Sequence, residues 1–341
     1  MKVLVTGAAG FIAGYVVEEL LERGYEVVGL DNFSKYGKLE KSYSKHPRFV
    51  LREGDAKDVS LLKELVADCD HLIAGAAMIG GISYFHEFAY ELLAENERIT
   101  ASTFDAAIWA YRQKRPLRKI TVLSSSMVYE NATVFPTPEN EQFRCPPPSS
   151  TYGFQKLSCE YFAKGAHEQY QLPYTIVRPF NCVGIGERRA LRDHDIMSGN
   201  VKLAMSHVVP DLCQKIIKGQ DPLHILGDGG QVRHYTYGGD LAKGIRMAME
   251  SPRAINEDFN LSTAESTTVR ELAETIWRKV HGTSRPLHLV SDPPYEHDVQ
   301  RRVPDVRKAR EVLGFEATTS LEVMLDEVIP WIREEIEAGR I

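Results

Sequence analysis

The sequence predicts an α/β fold: a doubly wound parallel sheet with helices on both faces and a smaller C-terminal lobe. Three observations predict it. Short apolar runs alternate with amphipathic helical patterns from Val3 to Arg178. The first run ends in a glycine turn, Gly7-Ala8-Ala9-Gly10, that opens a helical pattern. The composition changes after about Gly184, where a polar stretch precedes a second set of helices.

Residues 3–6 form a short apolar run, as a buried strand does. Residues 11–23 carry apolar side chains at helical spacing and end near Gly24. Further strands are expected at 26–30, 49–52, 71–74, 120–124 and 174–178. Helical patterns at 60–67, 90–111 and 154–170 fill the gaps between them. Beyond Gly184, residues 187–206 read as polar and irregular, and Arg188, Arg189, Arg192, His194 and His207 cluster there. Helices follow at 209–218, 239–249, 269–280 and 321–337. No repeat or low-complexity linker separates these from the rest, so the last third reads as a lobe packed on the sheet.

With 341 residues the chain can bury a sizeable core. Its 43% hydrophobic and 26% charged residues are ordinary globular values, which exclude disordered and collagen-like readings. A net charge of -6 argues against nucleic acid as a partner. The start, MKVLVTG, runs straight into a strand and lacks signal-peptide features. No apolar run approaches the roughly 20 residues that span a bilayer. A cytoplasmic protein with no membrane partner is expected. Cys69, Cys145, Cys159, Cys182 and Cys213 include no C-x-x-C pair, so neither a metal site nor a disulfide framework is expected.

The glycine turn has the context of a dinucleotide site: strand before, helix after. Gly7 permits the tight turn, and Gly10 lets backbone approach a pyrophosphate at the helix N-terminus. Ala13 stands where a third glycine often sits and still allows close packing. Asp31, at the end of the second strand, lies about 20 positions after Gly10, the spacing of the ribose-binding acid. A carboxylate there favours NAD over NADP by repelling a 2′-phosphate; the alternative is an ordinary turn residue. Asp55, in Gly54-Asp55-Ala56, suits either a turn or the adenine amino group. Ile73-Ala74-Gly75-Ala76 is small and smooth, as a dinucleotide lying across strand ends requires.

Tyr152 and Lys156 are four apart and share one helix face. A lysine so placed can lower the tyrosine pKa and make a phenolate available. Ser124-Ser125-Ser126 follows the fifth strand, at the end where ligands bind in open α/β sheets; by themselves three serines are a polar loop.

Together these motifs resemble the extended short-chain dehydrogenase/reductase family, in particular its nucleotide-sugar epimerases and dehydratases. Further matching positions are Asn96, Arg178-Pro179-Phe180-Asn181, Val209-Pro210, Gly227-Asp228-Gly229, Arg233, Asp240 and Arg302-Val303-Pro304-Asp305. The resemblance implies a Rossmann-type NAD-binding part over residues 1–180 and a mainly nucleotide-sugar-binding lobe over 181–341, with some chain returning to the sheet. It implies Ser125, Tyr152 and Lys156 as the catalytic set. The NAD contacts it implies are Gly7, Gly10, Phe11, Ile12, Asp31, Asn32, Asp55, Ala56, Ile73, Ala74, Gly75, Ala76, Asn96, Tyr152, Lys156 and Phe180. For the nucleotide-diphosphate sugar it implies Gly80, Gly81, Ser125, Ser126, Asn181, His207, Val208, Arg233, Asp298 and Arg302. Arg233 has its own logic, since a guanidinium fork suits a pyrophosphate; a surface ion pair is the alternative. A homodimer through helices 90–111 and 154–170 is expected on the same grounds.

Members that remove a proton from carbon carry an acid or a cysteine two positions before the tyrosine equivalent to Tyr129. This chain has Met127 there. The resemblance therefore implies a 4-epimerase, with transient oxidation to a 4-keto sugar and return of hydride to the opposite face. Alternatives are a dehydrogenase, 2-epimerase, 3,5-epimerase or 4,6-dehydratase of the same scaffold, or a non-catalytic regulator. The sequence departs from the family pattern at Met78-Ile79-Gly80-Gly81-Ile82, at Glu130 in place of glycine, at Cys182 and across 187–207.

Overall fold

The computed structural model of the chain describes residues 1–80, 88–188, 196–203, 207–294 and 299–341. The expected strands and helices form. The first half contributes strands β1 (Lys2–Thr6), β2 (Glu26–Asp31), β3 (Phe49–Glu53), β4 (His71–Ala74), β5 (Lys119–Leu123) and β6 (Tyr174–Pro179). Helices α1 (Phe11–Glu22), α2 (Val59–Val66), α3 (Ala89–Arg112) and α4 (Thr151–Tyr170) lie between them. The second half contributes α5 (Val208–Ile217), α6 (Gly238–Glu250), strand β7 (Glu257–Leu261), α7 (Val269–His281) and α8 (Leu321–Glu337).

The seven strands form one parallel sheet in the order β7-β6-β5-β4-β1-β2-β3. Strand order reverses between β1 and β4, and the crevice beyond the strand ends at such a point is where open α/β sheets bind ligands. The register fixes that crevice: Thr6 is level with both Leu30 and Ala74, so the loops after β1, β2 and β4 leave the sheet side by side.

Each sheet face is covered because the strands are apolar on both sides. On one face Val3 and Val5 pack with Val16, Val17 and Leu20 of α1 and Leu241, Ile245 and Ala248 of α6. On the other, Leu4, Leu72 and Ile120 pack with Leu62 of α2, Phe104 and Ala107 of α3 and Ala163 of α4. Each such leucine contributes about 1.5–3 kcal/mol by leaving water. A separate core joins α5, α7 and α8 through Leu212, Trp277, Met324 and Leu325.

Two findings differ from the expectation. Strand β7 was not foreseen, because EDFNL shows no strong alternation; its pairing with β6, Asp258 against Ile176, creates it. Within the stretch expected to be irregular, Ile196–Ser198 pairs antiparallel with Val201–Leu203 across a Gly199-Asn200 turn, where Gly199 has φ +55°. Gly-Asn between two short strands is hairpin chemistry. Arg189, Arg192 and His194 lie outside the described residues.

Candidate functional site

At the end of β1, Gly7 adopts φ +74°, and its N–H donates to the Leu30 carbonyl at 2.7 Å. A Cβ at Gly7 would sit 2.9 Å from the Ala76 Cα, so only glycine lets these two loops touch. Gly10 caps α1 with no side chain over the first turn, and no acidic residue lies in that turn. Phe11 and Ile12 therefore open a helix whose positive end has no side-chain cap, the arrangement that binds a pyrophosphate.

Asp31 Oδ2 accepts from Ala9 N–H at 2.9 Å and Oδ1 from Phe33 N–H at 2.7 Å. These two bonds hold the carboxylate at the mouth of the crevice and leave lone pairs for ribose hydroxyls. Asn32 Nδ2 reaches Asp55 Oδ2 at 3.4 Å, and Asp55 Oδ1 accepts from Lys57 N–H, so Asn32, Asp55 and Ala56 stand together beyond β2 and β3. At the end of β4, Ile73 is fully buried and Ala74 half-buried, and Gly75 and Ala76 beyond it are half-buried along the floor.

Two residues organise this floor. Thr6 Oγ1 accepts from the N–H groups of both Gly75 and Ala76 at 3.1 Å, which sequence reasoning missed. Asn96 on α3, expected at the cofactor, has Oδ1 accepting from Met78 N–H at 2.7 Å and Nδ2 donating to the Met78 carbonyl at 2.9 Å. These two bonds fix the loop that carries Ile79 and Gly80. Gly81 lies outside the described residues.

The pair expected to react, Tyr152 and Lys156, stands at the start of α4. Ser150 caps the helix, and Tyr152 and Lys156 follow in its first two turns, both largely buried. The Lys156 ammonium lies 6.0 Å from the Tyr152 ring centroid and donates to the Leu123 carbonyl at 3.0 Å, so β5 orients it. Ser125 caps the one-turn helix Ser126–Tyr129 with its Oγ accepting from Met127 N–H at 3.2 Å, which leaves its proton to donate. Ser126 is buried in that turn. Met127 packs with Tyr152 and Leu92, flanked by Met78, Ile79, Phe88 and Val299, so the surroundings of the tyrosine ring are largely apolar.

Phe180 is buried and stacks on Tyr129 at 6.3 Å. Next to it Asn181 takes φ +34°, donates to the His234 carbonyl at 3.2 Å, and accepts from Arg302 at 3.3 Å. A second Arg302 nitrogen lies 2.8 Å from Met127 Sδ. Arg233 donates to the Val232 carbonyl at 3.0 Å. The same Val232 carbonyl accepts from the Arg302 backbone N–H at 3.2 Å, so the two arginines meet at one carbonyl, and burial pushes the nearby Tyr235 hydroxyl up while the Arg233 and Arg302 charges oppose that. His207 and Val208 head α5, where His207 pairs with the buried Glu187. Asp298 lies outside the described residues. Cys182, a departure noted in the sequence, is held as a thiol: burial and then Glu187 push its pKa well up.

A buried polar lattice supports the pocket. Arg178 donates to Glu160 Oε1 at 2.8 Å and Oε2 at 2.7 Å, and pairs with Asp258 at 2.8 Å. Glu160 also accepts from Ser124 Oγ at 2.6 Å, and Arg178 from below holds the Tyr129 hydroxyl. Among the described residues no group of His, Cys, Asp and Glu could hold a metal ion, and no helix is long and apolar enough to cross a membrane.

The model of the NAD dependent epimerase/dehydratase family matches residues 3–262. The chain is 28% identical to a UDP-N-acetyl-alpha-D-glucosaminuronate decarboxylase of Bacillus cytotoxicus, over 98% of each chain. It is also 28% identical to a putative UDP-glucose 4-epimerase of Methanocaldococcus jannaschii, over 97% of this chain and 98% of that one. Among solved structures, a UDP-glucose 4-epimerase of Thermotoga maritima with UDP-glucose superposes with a TM-score of 0.79 at 29% identity, covering 98% of this chain and 100% of that chain.

Proposed function

The chain belongs to the NAD dependent epimerase/dehydratase family, whose enzymes act with NAD, and from that premise we propose that it is a nucleotide-sugar 4-epimerase. The observation that carries the reading is Met127. Reactions that take a proton from a sugar carbon need a second base near the tyrosine, and this thioether against the Tyr152 ring offers none. Exchange at C4 through the hydroxyl needs only one acid/base, and Tyr152 is that group. The names of the relatives favour a UDP-sugar.

NAD, when bound, would supply reversible hydride acceptance at the sugar carbon. The chain does the rest. The first turn of α1 and the Gly7–Ala76 contact receive the dinucleotide's pyrophosphate, and Asp31 its ribose. Tyr152 takes the proton from the sugar 4-hydroxyl and later gives it back. Lys156 stabilises the phenolate form in which Tyr152 can take that proton, by Coulomb attraction across a buried gap. Ser125 donates to the same sugar oxygen and holds it by the tyrosine. Arg233 and Arg302 hold the diphosphate, and Asn181 fixes Arg302. A tether at the diphosphate leaves the sugar free to turn between its two hydride-transfer poses. Phe180 and Ser126 close the pocket behind it.

We further propose that the protein works in the cytoplasm as a homodimer, through α3 and α4. Tyr90, Phe154 and Tyr161 stand exposed on those helices.

The test is NMR of the purified protein with UDP-, GDP-, CDP- and dTDP-sugars in deuterated water. A product inverted at C4, with no deuterium on carbon and no added cofactor, is expected. Deuterium at C3 or C5, a deoxy-keto product, carbon dioxide release from a uronic acid, or stoichiometric NADH would replace the 4-epimerase reading by the corresponding sister activity.

A further inference from the structure

Glu130 departs from the glycine that the family pattern carries after its tyrosine, and the structure gives it a specific set of contacts. Glu130 Oε2 accepts from the Ser150 N–H and from the Ser150 hydroxyl, both at 2.9 Å. Ser150 is the cap of α4, and its Oγ accepts in turn from Gly153 N–H at 3.0 Å. The serine hydroxyl thus donates in one direction and accepts from the other, so its rotation is fixed. Gly153 completes the joint: a Cβ there would lie 2.9 Å from the Met127 carbonyl and 3.0 Å from Glu130 Oε2. The neighbour, Asn131, donates to the Pro147 carbonyl at 2.7 Å and to Ser149 Oγ at 3.1 Å.

These contacts connect two short pieces of backbone. One is the turn 125–130, which carries Ser125 and Met127. The other is the first turn of α4, which carries Tyr152. They are about 20 residues apart in sequence, pack through Met127 on Tyr152, and are hydrogen-bonded through the Glu130 carboxylate. We propose that Glu130 is a positioning residue: it sets the distance between Ser125 and Tyr152 by clamping the cap of the tyrosine helix onto the serine turn. The inference rests on the reading of Ser125 and Tyr152 as the groups that share the sugar oxygen. A carboxylate at a helix N-terminus is also favoured by the helix dipole, so charge and reach must be separated by experiment.

Three variants separate them. Glu130→Gln keeps the reach and loses the charge. Glu130→Asp keeps the charge and is one methylene too short. Glu130→Ala loses both. A misplacement of about 1 Å costs about 100-fold in rate, so Asp and Ala should lower kcat by roughly 10-fold or more, with KM and NAD occupancy near wild type. Gln should recover most of kcat. Amide hydrogen exchange at Ser150 and Gly153 should quicken in Asp and Ala and stay slow in Gln. The proposal is overturned if Asp keeps full kcat, if Gln is as impaired as Ala, or if kcat, KM and NAD occupancy decline together. The exchange measurement does not depend on which sugar reacts. If no sugar in the panel reacts, the 4-epimerase reading fails while the clamp is still judged by exchange; unchanged protection in Asp and Ala would then sink it.

Discussion

At the scale of single residues, chemistry and stability rest on different groups. Tyr152 is buried beside apolar side chains with the Lys156 ammonium facing its ring, which suits the proton-exchanging role proposed for its hydroxyl. Tyr152→Phe removes that oxygen and little else. Turnover should fall by at least about 100-fold, the usual range for losing an acid/base. NAD released by denaturing the variant should match wild type in amount, because Asp31 and the α1 turn are untouched. Activity within a few-fold of wild type would remove Tyr152 from the mechanism. His71 is a stability group instead. Burial first, then Lys119 and Arg118, push its pKa down to about 4 from the usual 6.5. Between those values the unfolded chain binds the proton and the folded one does not, so stability is lost as pH falls through that window. Calorimetry should show the melting temperature dropping between pH 6.5 and 4, and the drop should shrink in His71→Gln. Equal pH slopes in the two proteins would refute this.

At the scale of elements, periodicity announced what burial creates and missed what pairing creates. The helix starting at Phe11 and the strand at His71 were legible because their apolar spacing follows from facing a core. Strand β7 was not, since its identity comes from the ladder with β6 rather than from EDFNL itself. The same distinction applies to the site. The Tyr152–Lys156 spacing is local and readable, whereas Thr6 on Gly75 and Ala76, Asn96 on Met78, and Glu130 on Ser150 join distant segments through polar atoms that carry no sequence period. The bond between α4 and β6 is of this kind: Glu160 and Arg178 are both fully buried and joined by two contacts. Removing one partner strands the other's charge. Glu160→Ala should therefore cost about 3–5 kcal/mol in urea denaturation. A loss under about 1 kcal/mol would mean that Asp258 alone satisfies Arg178.

At the scale of the whole molecule, α3 and α4 do two jobs at once. Their inner faces cover the sheet, with Phe104 stacked on Phe162 at 5.9 Å. Their outer faces meet along a groove lined by Ala101, Asp105, Ile108, Ser158, Tyr161 and Gly165. The small residues Ala101, Ser158 and Gly165 beside a tyrosine 57% exposed suit close approach of another helix pair. A two-fold arrangement lets each protomer's Tyr161 enter the other's groove, since an isologous contact uses the same patch twice. The two helices also carry Asn96, which fixes the loop after β4, and Tyr152 itself. Association would then stiffen the site as well as hide the groove. Light scattering at micromolar protein should give twice the mass of one chain, and Tyr161→Glu, which sets a charge against its own symmetry mate, should give one chain mass. If the variant monomer keeps its NAD but turns over more slowly, the pairing of protomers and the geometry at Tyr152 are linked; a wild-type protein that is monomeric at the same concentration would leave the exposed tyrosine without this role.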